Sequence, residues 1–222
     1  MKKILLVGSS SAACQDFYNN HKNSYDFIRM SRDDNYSDIK NFDLFNTDSY
    51  VNINENIDGI VYFPGTINLK QFSRLDVADF QNDFNVNVIG LVSILKYYYN
   101  KLNTSSSVVL FSTVAVKLGM PFHSTVATSK SAIVGLTRSL AAEWAPKIRV
   151  NCISPSIFDS KMSAKMLSNE KSAERIGNNH PLKRYGNPSD ISSLISFLIS
   201  NNSKWITGQN ISVDGGMSKI KL

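Results

Sequence analysis

Short aliphatic runs recur along this chain, and most of them lack the apolar–polar alternation of a half-buried strand. Lys3–Val7 reads KILLV, and Ile57–Phe63, Val108–Thr113 and Arg149–Ile153 follow the same habit, with shorter runs at Tyr25–Met30 and Asn210–Val213. Strands of this kind are apolar on both faces, so both faces need cover. Between them lie helical stretches at Ala12–Asn20, Val77–Leu102, Val126–Trp144 and Pro188–Ser200. Strand and helix in alternation predict an α/β fold, a doubly wound and mostly parallel sheet with helices on both sides. The polar stretch from Asp33 to Asn56 leaves little room for a full helix between the second and third strands. Residues 1–222 are expected to form a single domain, since no linker or repeat divides them.

Composition narrows the function classes. The net charge is +6, but the basic residues are scattered, with Lys2-Lys3 and Lys183-Arg184 the closest pairs named here. A nucleic-acid role asks for a clustered basic face, and none is visible. No stretch approaches the ~20 apolar residues of a membrane span. The start, MKKILLVGSSSAAC, has the basic residues, apolar run and Cys of a bacterial lipoprotein signal. Its apolar run, Ile4 to Val7, is shorter than the ~7–15 residues such a signal carries, and it reads better as a buried strand and turn. Cys14 and Cys152 form no CxxC pair and lie near no His at metal-ligand spacing, so no metal site is expected. Two thiols of this kind suit a reducing cytoplasm.

The chemistry-bearing segment is SVVLFSTVAVKLGMPFHSTVATSK, residues 107–130. A strand ends at Ser112-Thr113, and a helix carries Lys130 near its start. Thr113, Val126 and Lys130 are spaced thirteen and four residues apart. This segment resembles the catalytic stretch of the short-chain dehydrogenase/reductase family, in which Ser, Tyr and Lys hold those places. PLKRYGNPSDI, WITGQN and VDGG in the last quarter are similar to the family's closing segment, so the resemblance runs from about Lys3 to Gly216. It implies a Rossmann-type fold and an NADP(H)-dependent carbonyl oxidoreductase of the ketoacyl or sugar type. It also implies assembly into a homo-oligomer, dimer or tetramer.

Residue by residue, the resemblance gives Asn87, Thr113 and Lys130 as the catalytic set and Val126 where the proton-transferring Tyr belongs. A valine cannot move a proton, so ordinary hydride transfer is expected to be impaired or modified. Substitute donors nearby in sequence are Ser112, His123, Ser124 and Thr128, of which His123 alone titrates near neutrality. The first strand–helix turn is Gly8-Ser9-Ser10-Ser11-Ala12-Ala13-Cys14. Family glycines that let a pyrophosphate approach a helix N-terminus are replaced at Ala12 and Cys14, so NADP(H) binding is expected to be weak or absent relative to intact relatives. Gly8, Ser10 and Ser11 remain to hold a phosphate. The same residues also read as a loop that only starts a helix, with Ser10 or Ser11 as its cap. Ser31-Arg32 after the second strand points to the 2′-phosphate of NADP(H) rather than NAD(H), and equally fits an exposed turn. Asp43 resembles the adenine contact. Tyr62-Phe63-Pro64-Gly65 stands where the family has Asn-Asn-Ala-Gly, so only Gly65 persists. Ser160, in Pro155-Ser156-Ile157-Phe158-Asp159-Ser160, keeps the hydroxyl of the nicotinamide contact. Lys130 doubles as the ribose contact. Residues 160–179 are expected to form a lid, whose Met162, Met166, Leu167 and Ile176 suit a carbonyl or acyl ligand or a protein partner.

Two function classes follow. One is a divergent reductase. The other is a non-catalytic member that binds a ligand or pairs with an active relative.

Overall fold

In the computed structural model, residues 1–221 are described. Among them, six strands form one sheet in the order β2-β1-β3-β4-β5-β6, every neighbouring pair parallel. They are β1 (Lys2–Val7), β2 (Tyr25–Met30), β3 (Ile57–Tyr62), β4 (Leu102–Phe111), β5 (Ile148–Pro155) and β6 (Asn210–Val213). The helices are α1 (Ala12–His21), α2 (Val77–Phe84), α3 (Gly90–Tyr98), α4 (Ser124–Trp144), α5 (Glu170–Asn178) and α6 (Pro188–Ile199).

Successive residues of a strand point to opposite faces, and here each face meets its own helices. Leu5 and Val7 of β1, Ile60 of β3 and Val108 and Leu110 of β4 pack with Leu91 and Ile94 of α3 and Ile133 of α4. Ile4 and Leu6, Val61, Val109 and Ile153 pack on the other side with Phe17 of α1 and Ile191, Ile195 and Leu198 of α6. This is the doubly wound architecture that uniformly apolar strands require.

Between β2 and β3 there are only two 3-10 turns, Asp34–Tyr36 and Thr47–Ser49. Their polar residues close local turns: Asp33 accepts from the Asn35 amide and Asn46 from the Asp48 amide. Helix α6 starts on a reciprocal cap between Asn187 and Asp190, with Pro188 in the first turn.

The largest departures from the sequence expectation lie in the Val77–Leu102 stretch, at the start of β4 and in the lid. Val77–Leu102 is not one helix. A π-helical turn, Asn85–Ile89, separates α2 from α3, and Leu102 already belongs to β4. The start of β4 was hidden because Leu102–Ser107 is polar and Ser105 adopts φ 72°. Helix α5 was unforeseen inside the lid. It is strongly polar and starts on Asn169, whose side chain accepts from the Ser172 amide. Among the described residues no helix is long and apolar enough to cross a membrane, and no three His, Cys, Asp or Glu side chains are grouped to hold a metal ion.

Gly59 of β3 lies against β4 where a side chain has no room. A Cβ there would stand 2.7 Å from the Ser107 carbonyl oxygen, which is backbone and cannot swing aside. Gly59→Ala is expected to lower the unfolding free energy by about 1–3 kcal/mol, the usual range for overpacking. Urea unfolding checks this, and an unchanged midpoint would contradict the packing described.

Candidate active site

Parallel strands bring all their carboxyl ends to one edge, and the loops beyond them form the crevice. The end of β4 gives Ser112 and Thr113, the N-terminal half of α4 gives Val126 and Lys130, and the π-turn gives Asn87. The Lys130 ammonium donates to the Phe111 carbonyl at 3.1 Å, so the side chain reaches back to the strand end. Ser112 Oγ donates to the Lys130 carbonyl at 2.9 Å and pins the helix to the same place.

Gly65 explains why its position stays small. A Cβ on it would lie 2.9 Å from Lys130 Nζ and 3.1 Å from Asn87 Oδ1. The loop after β3 therefore lies directly over the lysine and the asparagine, and all three form one cluster. Asn87 is fully buried, with its Oδ1 accepting from the Thr66 amide at 3.0 Å and its Nδ2 donating to Ser129 Oγ at 2.9 Å. The π-turn sets its direction, since an added residue in a helical turn shifts the face that follows. Tyr62 OH braces that turn by donating to the Val86 carbonyl at 3.1 Å. Burial raises the Tyr62 pKa well above the usual phenol range, so the hydroxyl stays protonated and bonded.

Lys130 is 7% exposed. Desolvation pulls its pKa down to about 8, with Cys152 and Asp83 acting the other way. Asp83 is a site residue the sequence reading missed. It lies four residues before Asn87 and so near the same helix face, and Thr66 Oγ1 donates to its Oδ1 at 2.7 Å. Its Oδ2 is buried without a partner among the described residues. Thr66 and Ser129 were missed as well, because small hydroxyl residues carry no motif of their own.

Val126 is buried on α4, one turn before Lys130. Thr113 is partly exposed past the strand end, and its Oγ1 accepts from the Ala115 amide at 3.3 Å, leaving its proton to donate elsewhere. Of the substitute donors proposed from sequence, Ser112 and Thr128 donate to helix carbonyls, and His123 Nδ1 bonds the Pro121 carbonyl at 2.7 Å.

At β1, Gly8 adopts φ +78°, and a Cβ on it would lie 2.8 Å from Pro64 Cδ, so the turn needs glycine twice over. Ser11 caps α1 by accepting from the Cys14 amide, and Ser10 sits half-buried beside it. The Cys14 amide is taken by this cap, and the amides of a helix's first turn are the groups an anion site draws on. Ala12 opens the helix, while Cys14 is fully buried in the core between sheet and helix and does not face the turn. Phe63 stacks on Phe111, ring centroids 5.1 Å apart, so the aromatics after β3 are packing.

Arg32 is exposed at the end of β2, whereas Asp33 is engaged in capping its turn. Asp43 is exposed between β2 and β3, its Oδ1 accepting from the Phe45 amide. Ser160 closes a turn with Ser163 at 3.0 Å. Lys161, next in the lid, places its ammonium 5.6 Å from the Tyr36 ring centroid. The lid thus reaches across to the turn that follows β2. Residues that could hold a dinucleotide are the Gly8 turn with the start of α1 for phosphate, Arg32 and Lys161 for added positive charge, and Lys130 for ribose.

The family model described as enoyl-(acyl carrier protein) reductase matches residues 47–218. The 3-oxoacyl-[acyl-carrier-protein] reductase of Rickettsia bellii is 30% identical over 84% of this chain and 79% of its own length. The hydroxynaphthalene reductase of Aspergillus fumigatus is 33% identical over 69% of this chain and 60% of its own length. The match thus spans under two thirds of that relative. A solved structure of 4-hydroxyisoleucine dehydrogenase complexed with NADH superimposes at a TM-score of 0.87 over 100% of both chains, with 24% identity. The chain belongs to the short-chain dehydrogenase/reductase family.

Burying a lysine ammonium with a single carbonyl partner disfavours the folded state wherever the lysine is charged. Between pH 8 and 10.5 the unfolded chain holds the proton that the folded chain has lost, so this lysine makes stability rise with pH there. Lys130→Met is therefore expected to stabilise the protein below pH 8, by about 3 kcal/mol at most. The gain should fade as pH rises to 10.5. Urea unfolding of both proteins at pH 7 and pH 10 measures the difference, and a gain that grows with pH would contradict the burial argument.

Proposed function

We propose that this chain is a divergent NADP(H)-dependent carbonyl oxidoreductase, of the ketoacyl or sugar type, whose proton-transfer step is impaired. The observation that carries the reading is the cluster of Asn87, Gly65 and Lys130, with Val126 one helical turn before the lysine at the position the resemblance gives to the proton donor. Gly8, Ser10 and Ser11 would hold the phosphates, Arg32 the 2′-phosphate, Asp43 the adenine, and Gly65, Lys130 and Ser160 the nicotinamide half. The dinucleotide supplies or accepts the hydride.

This chain's own residues handle the carbonyl oxygen. The Thr113 hydroxyl donates a hydrogen bond to it and fixes its direction. Lys130, with a pKa near 8, is the titratable group that can release a proton to it around neutral pH. Asn87 and Ser129 hold the helix positions, and Asp83 lies near enough to the lysine to favour its charged form. The lid offers Met162 exposed and Met166, Leu167 and Ile176 half-buried, an adaptable surface for an acyl or other small carbonyl ligand.

A second reading, a ligand-binding or assembly subunit without catalysis, draws on the surface between α3 and α4. Val92, Leu95, Tyr99, Leu136, Leu140 and Trp144 line an apolar groove of about 310 Å³ there. Such a face suits a homo-oligomer, dimer or tetramer, in the cytoplasm. Cofactor binding separates the two, because a reductase requires it and a scaffold does not.

Val126→Tyr places a phenol one helical turn from Lys130. It is expected to raise the rate of ketone reduction with NADPH by ~10²–10⁴, the usual worth of a positioned acid. Steady-state assays of both proteins check this, and a wild-type kcat already within ~1–10³ s⁻¹ would overturn the impaired-enzyme reading. Ala12→Gly should tighten NADPH binding by opening the phosphate approach. Fluorescence titration measures it, and unchanged affinity would place the obstacle elsewhere. Cys14→Gly is expected to lose stability without gaining affinity, since it empties a core position in a helix.

A further inference from the structure

A second set of reactive groups lies beyond β5, apart from the lysine cluster. Ser156 follows Pro155 at the strand's carboxyl end, and its Oγ is 2.8 Å from Nε2 of His180. His180 comes just after α5, and its Nδ1 is 2.9 Å from the Ile176 carbonyl. A carbonyl can only accept, so Nδ1 carries the hydrogen and Nε2 presents its lone pair. The serine hydroxyl must then donate to Nε2. The backbone thus fixes the imidazole in the tautomer that takes a proton from a serine. Ser156 Oγ also lies 3.4 Å from Met217 Sδ, a weaker acceptor at longer range.

Ile176 is in the last turn of α5, where the exposed carbonyls form the negative end of the helix dipole. That end would steady a positive charge developing on His180. The imidazole itself is 3% exposed, which shields it from competing water. Ser156 is partly exposed, and both residues line a cavity of about 160 Å³ with Ile157, Phe158 and Leu182 among its walls. The cavity is several times the ~30 Å³ share of a liquid water, and Arg184, Asp190 and Asp214 line it beside those apolar walls.

We propose that Ser156 and His180 form a nucleophilic dyad that transfers or hydrolyses short acyl groups held as activated esters or thioesters. Ser156 Oγ attacks the acyl carbon while His180 Nε2 takes its proton. The bond to the leaving alcohol or thiol then breaks, and that group departs with the proton from His180. Water attacks the acyl-serine, again giving a proton to His180, which returns it to Ser156 Oγ as the acid leaves. Ester and water go in, acid and alcohol come out, and no redox partner takes part.

The test uses the full chain without dinucleotide, so its outcome is independent of the reductase reading. Wild-type protein is incubated with p-nitrophenyl acetate and, separately, with a fluorophosphonate, and the modified residue is mapped by peptide mass. The expected result is one acyl or phosphonyl group on Ser156, absent from Ser156→Ala. His180→Gln should lower the acylation rate by ~10²–10⁴. A hydroxyl that only braces the lid would take no label. Wild-type protein without label on Ser156 overturns the proposal, and so does p-nitrophenol release that persists in Ser156→Ala. If His180→Gln fails a thermal-unfolding check, the wild-type and Ser156→Ala arms decide the matter.

Discussion

Parallel pairing of every strand governs the rest of this molecule. It obliges each connection to cross a face of the sheet, which places α1 and α6 on one side and α3 and α4 on the other. It also sends the carboxyl ends of β1 to β6 to one edge. Residues as distant in sequence as Gly8, Gly65, Lys130 and Ser156 therefore lie along a single rim. The sheet order reverses direction around β1, between β2 and β3, and the Gly8 turn opens there against Pro64.

On this rim the buried ammonium of Lys130 is the most demanding group. It is held by one carbonyl and covered by Gly65, with the Asp83 charge at a distance. A fold under no constraint but packing would replace such a lysine by an apolar residue at little loss. Asn87 shows the same tension, since it sits in a π-turn that interrupts an otherwise helical run. The proton donor's place, by contrast, is taken by a well-packed valine. On the reading proposed above, Thr113 and Lys130 would orient a carbonyl, and the phenol that the family uses to complete its reduction has no counterpart at Val126.

The strands, the helices on each face and the lysine segment were legible because apolar runs and fixed spacings report them directly. The parts that were not legible depend on tertiary context. Nothing in Asn85–Ile89 announces a π-turn, because its residues are ordinary and the extra residue is imposed by what Asn87 and Tyr62 bond to. The polar first half of β4 touches β3 at Leu102, across a register shift, and β5 at Ser106, and so lacks an apolar signal. Helix α5 is short and charged, and its ordering comes from a cap and from His180 at its far end. Asp83 offered one clue, an acid four residues before the asparagine. Ser156 was visible only as a glycine replaced, and its partner, twenty-four residues on, could be found only in the fold.

On the reading proposed above, the crevice accepts a phosphorylated dinucleotide although Val126 stands in the proton donor's place. Equilibrium titration of the wild-type protein with NADPH and with NADH, followed by cofactor fluorescence, tests that claim most directly. The account predicts saturable binding of NADPH, tighter than that of NADH because Arg32 is exposed at the end of β2 while Asp33 is engaged in its own turn. No saturable binding of either nucleotide, or a preference for NADH, would contradict it.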